Sequence, residues 1–61
     1  MKSDYLGQSL EATRAAIDYD VRGSEAMENQ NHDLVRHCNE QAKYYRMEST
    51  KLLRKHNNEH S

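Results

Sequence analysis

Asp33, His37 and Cys38 are the residues of this 61-residue chain whose types first invite a chemical reading. A thiol next to an imidazole is the raw material of a nucleophilic pair, and an Asp–His pair one turn apart can begin a metal site. The spacing argues against both. Adjacent residues on a helix point about 100° apart, so His37 is badly placed to take a proton from Cys38. His37 lies one turn beyond Asp33, but coordination needs a third or fourth ligand, and the apolar pattern directs Cys38 into a packing seam instead. His56 and His60 repeat the one-turn spacing without the intervening glutamate of a zinc-protease helix, and they lie close to the end of the chain. A Gly-rich phosphate loop is absent, and a rod of helices offers no evident pocket of ligand size. The expectation is therefore no catalytic residue, no metal ligand and no cofactor, with Asp33–His37 a surface pair and Cys38 a core thiol.

The elements that carry these residues are helices. Proline and tryptophan are missing, glycine occurs twice, and helix formers are spread along the chain. Ser3 suits an N-cap, Asp4 complements the first turn, and helical periodicity predicts a first helix over about 4–28. Asn29-Gln30-Asn31-His32-Asp33 is the dense polar cluster inside the chain. There Asn29 can take the left-handed angles that end a helix, and Asn31 can cap the next. Gly23-Ser24 is a competing break, disfavoured because Ala26, Met27 and Glu28 continue the pattern. A second helix follows over about 32–56, with residues 57–61 expected to fray. Two helices of similar length joined by a short link predict an all-α, antiparallel two-helix hairpin.

The hairpin is expected to be one domain spanning 1–61 and a complete short gene product. No apolar run approaches a membrane span, and no signal-peptide layout is present. The single cysteine cannot form an internal disulfide, and the expected location is cytoplasmic, with no membrane partner. Only 34% of residues are apolar while 31% are charged, a thin supply for a monomeric core.

The second helix offers one clean seam: Val35, Cys38, Ala42, Tyr45, Ser49, Leu52 and His56. The first offers two. Leu6, Leu10, Thr13, Ile17, Asp20, Ser24 and Met27 form a heptad seam interrupted by Asp20 and Ser24. Tyr5, Ser9, Ala12, Ala16, Tyr19, Gly23 and Ala26 form another, mostly of small residues, about 110° around the helix. The larger side chains suggest a core of Leu6, Leu10, Ile17, Val35, Ala42, Tyr45 and Leu52. The small seam then meets a second copy through Tyr5, Ala12, Ala16 and Tyr19, giving a dimeric four-helix bundle. The competing reading takes those alanines as ordinary surface helix formers.

The function expected from this pattern is that of a non-enzymatic adaptor or regulator whose partners are itself and an unidentified protein. Tyr44 and Met47 form an outer apolar patch available to that protein. Charge is uneven: residues 1–30 hold six acids and three bases, residues 31–61 four acids and six bases. Lys51, Arg54 and Lys55 make nucleic-acid binding the alternative. Antiparallel pairing with Asp4 and Glu11 accounts for the same bases without a ligand, and the net charge of −1 is low for such a binder. In outline alone, the expected shape resembles the plasmid copy-control hairpin proteins, dimers that bind paired RNA loops; no residue motif accompanies the likeness.

Overall fold

A computed structural model of the chain describes residues 4–60. Two helices, α1 (Tyr5–Glu28) and α2 (His32–Glu59), pack against each other as an antiparallel hairpin, and no strand occurs among the described residues. At 1.5 Å per residue they are about 36 and 42 Å long, which fits the rod's extents of 46 × 14 × 13 Å. The radius of gyration is 14.2 Å, against about 10.5 Å for a globular chain of this length. An elongated hairpin has much surface and little interior.

Local signals place the ends. Asp4 caps α1, its carboxylate accepting from the Gly7 amide at 3.0 Å. Ser3, the cap expected from the sequence, lies outside the described residues. Asn31 caps α2, its side-chain oxygen accepting from the Leu34 amide at 3.3 Å. The reversal falls in the polar cluster, and α1 runs unbroken through Gly23 and Ser24.

The left-handed residue of the turn is Gln30, with φ 58°, and not Asn29, whose φ is −86°. The Gln30 amide donates to the Met27 carbonyl at 3.0 Å and the Asn31 amide to the Ala26 carbonyl at 2.8 Å. These two bonds are those of a Schellman ending, which satisfies the last carbonyls of α1 and needs positive φ one residue beyond the cap. Glutamine has no special tolerance for that conformation. Gln30→Gly is therefore expected to stabilise the chain by about 1 kcal/mol, read as a higher urea midpoint at unchanged slope.

α2 extends to Glu59, about three residues past the expected end. Neither proline nor glycine interrupts Asn57–Glu59, and the rings of His56 and His60 lie 4.4 Å apart on successive turns.

The packing corrects the expected core. α2 uses the predicted seam: Cys38 and Ala42 are buried, while Val35, Tyr45, Ser49, Leu52 and His56 are half-buried. α1 presents its small-residue seam to α2, burying Ser9, Ala12, Ala16, Gly23 and Ala26. Leu6, Leu10 and Ile17, expected in the core, are exposed, as are Val21 and Met27. Size matching is the reason. The α2 seam is itself small at Cys38, Ala42 and Ser49, so the helices close until leucines no longer fit between them. At Gly23 an added Cβ would stand only 3.4 Å from the Cβ of Cys38.

Candidate functional site

Three features could carry function: a polar and aromatic seam between the helices, a charged outer face on α2, and an apolar outer face on α1. The seam is built from hydroxyls at one end. Ser9 is only 5% exposed. Its Oγ lies 2.9 Å from the Ser49 Oγ and 3.0 Å from the Ser49 carbonyl. Thr13 Oγ1 lies 2.7 Å from the Ser49 Oγ and donates to the Ser9 carbonyl at 3.0 Å. Three hydroxyls and two carbonyls thus satisfy one another, and no buried side-chain polar atom lacks a partner among the described residues. A closed network of this kind fixes the register of the two helices, since slipping one turn would orphan buried groups.

Midway along the rod the seam becomes aromatic. Tyr19 stacks on Tyr45 at 5.8 Å between ring centroids, meets His37 edge-on at 6.2 Å, and lies under the Arg22 guanidinium at 5.6 Å. Tyr44 meets Tyr45 edge-on at 5.2 Å. Back at the open end of the hairpin, beyond the hydroxyls, the Lys55 ammonium stands 5.7 Å from the Tyr5 ring. These contacts answer what the small-seam residues do. Tyr5, Ala12, Ala16 and Tyr19, assigned from sequence to a chain-to-chain contact, face α2 of the same chain. The small side chains let the backbones approach, and the tyrosine rings then bridge the seam's edges.

The thiol of Cys38 is among the most enclosed groups, at 1% exposure. Its burial is what the seam reading expects, but it sits opposite Gly23, a residue of the seam that reading turned toward a second copy. Among the described residues no group of three or more His, Cys, Asp or Glu is placed to hold a metal ion. No helix among them is long and apolar enough to cross a membrane.

Among the described residues, shallow grooves of about 330, 280 and 340 Å³ lie on the rod, so the surface is less featureless than the sequence suggests. Met47 lines the first with Arg46, Thr50, Lys51 and Arg54. Tyr44 lines the second with Gln8, Glu11 and Glu48. The two residues expected to share a partner patch are both exposed but border different grooves.

Charges are partly paired. Arg46 bonds Asp20 across the hairpin, Arg22 lies 3.6 Å from Asp18, and Lys51 lies 3.8 Å from Glu48. All are solvent-exposed and contribute little to stability, at most about 1 kcal/mol each. The interhelix pairing expected at Asp4 and Glu11 is found instead at Asp20. That residue breaks the apolar periodicity of α1 because it reaches the flank of α2.

What remains without an intrachain role is the outer face of α1. Leu6, Leu10, Ile17 and Val21 are 44%, 59%, 57% and 53% exposed, and helical phase puts their mean direction about 140° around α1 from the buried seam. Sequence reasoning found Leu6, Leu10 and Ile17 but assigned them inward. The signal that could have placed them was the small size of the α2 seam. Comparison with family models, with curated proteins and with solved structures returned no match.

Proposed function

We propose that this hairpin is a binding protein: it pairs with a second copy of itself into a four-helix assembly and serves as an adaptor or regulator for another protein. One observation carries the reading. The largest aliphatic side chains of α1 are outside, in a row, while the hairpin closes its own seam with alanine, serine and glycine. Single exposed apolar residues are ordinary; four on one face of one helix mark an interaction surface.

On this reading α1 provides self-association, and the exposed Tyr44 and Met47 of α2 stay available to the protein partner. Nucleic-acid binding through Lys51, Arg54 and Lys55 has less support. Lys51 lies beside Glu48, Lys55 lies over Tyr5, and the chain as a whole is slightly acidic.

Sedimentation equilibrium of the wild-type chain from low to high micromolar concentration tests the proposal. A mass moving from one chain to two is expected, with a melting temperature that rises with concentration, because dimerisation stabilises only the folded chain. A monomer at high micromolar with concentration-independent melting would refute it.

A further inference from the structure

The outer stripe of α1 has a symmetry that its own hairpin does not use. Its four aliphatic residues are spaced four, seven and four apart: Leu6, Leu10, Ile17, Val21. The pattern reads the same in both directions about a point between Thr13 and Arg14. A two-fold interface is made of one patch that must complement itself, residue i meeting j while j meets i. From this we infer that two copies join through antiparallel contact of their α1 helices, Leu6 of each against Val21 of the other and Leu10 of each against Ile17 of the other. This deepens the self-association proposed above and rests on it.

The helix dipoles favour this direction over a parallel one. Antiparallel pairing sets the positive N-terminal end of each α1 beside the negative C-terminal end of the other, whereas parallel pairing sets like ends together.

The chain also has surface to spare for such a contact. The chain exposes 5012 Å². A compact monomer of 7.2 kDa exposes about 4,100 Å², so the excess is about 900 Å². A stable interface of standard size removes about 800 Å² from each partner. Because the stripe points away from α2, the two α1 helices occupy the middle of the assembly and the two α2 helices its outer sides. The result is an open four-helix layer in place of a closed square bundle.

Two exposed substitutions, Leu10→Glu and Ile17→Lys, made singly in the full chain, test the pairing. Sedimentation equilibrium reads association, and circular dichroism confirms that each variant stays helical. Each alone is expected to weaken dimerisation at least about 100-fold, since two buried aliphatic contacts are lost per dimer. An equimolar mixture is expected to recover a heterodimer to within about tenfold of wild type. In that heterodimer Glu faces Lys once and Leu faces Ile once. Wild type that dimerises undisturbed by either substitution overturns the stripe as the interface while leaving self-association intact. Two monomeric variants that fail to recover on mixing overturn the antiparallel pairing. A wild-type monomer at high micromolar removes both this inference and the reading beneath it.

Discussion

Ala16→Glu is expected to unfold the chain, and not merely to separate one copy from another. Ala16 is 2% exposed and lies in the closed seam between α1 and α2. A glutamate there has two unfavourable choices. It can keep its carboxylate between the helices, where desolvation without a partner costs several kcal/mol. Or it can force the helices apart and give up the close contacts of Ala12, Ala42 and their neighbours. Either loss is on the order of 3–5 kcal/mol. A 61-residue chain has a total stability of roughly 3–9 kcal/mol. Far-UV circular dichroism at 25 °C and low micromolar protein concentration should show most of the helix signal gone. Leu10→Glu, at 59% exposure, is the control that retains it. If Ala16→Glu keeps full helicity and only lowers the sedimented mass, α1 presents its other face to α2 and the seam assignment is wrong.

Replacing Gly23 should move stability in opposite directions depending on the size of the newcomer. Gly23 is buried within α1, where glycine costs about 1 kcal/mol relative to alanine in helix propensity. The added methyl of Gly23→Ala would meet the Cys38 Cβ at 3.4 Å, a tight but ordinary contact. A gain of about 0.5–1 kcal/mol follows, or roughly 2–8 °C in melting temperature. Gly23→Leu adds three more carbons in the direction of Cys38 and cannot be accommodated without spreading the helices. Overpacking of this kind costs about 1–3 kcal/mol or more, and the wedge should also loosen the Tyr19–Tyr45 stack further along the seam. Thermal melts of the two variants beside wild type give the signs directly. A stabilised Gly23→Leu would mean that the helices are farther apart at this height than the Cys38 contact indicates.

Both results follow from a seam of small residues, and that seam bears on how the molecule can act. A hairpin that spends its alanines and glycine internally leaves its leucines, isoleucine and valine free to meet another chain. Its stability and its binding surface then sit on different faces of the same helix. Binding residues can be altered with little effect on the fold, which makes the outer stripe experimentally accessible.

Much of the architecture was legible in the residues. The absence of proline, the periodicity of both segments and the polar cluster around Asn31 defined two helices and a reversal, and the α2 seam from Val35 to His56 was readable position by position. Local chemistry fixes such features: capping oxygens, backbone preferences and the 3.6-residue repeat act within a few residues of one another. Two local details came out differently, the left-handed residue at Gln30 and the last turn of α2 through Glu59, because helix ends depend on small differences between neighbouring positions.

Which of the two α1 seams turns inward was a decision of the tertiary structure. Hydrophobicity alone favours Leu6, Leu10 and Ile17 over Ser9, Ala12 and Ala16, and by that measure the inner face is the wrong one. The choice depends on what stands opposite, forty residues away in sequence at Ser9 and Ser49. Small residues on α2 reward close approach, hydroxyls on both helices can satisfy one another only when they meet, and tyrosines close the edges. Periodicity reports that a face exists; shape complementarity between two faces determines which of them meet.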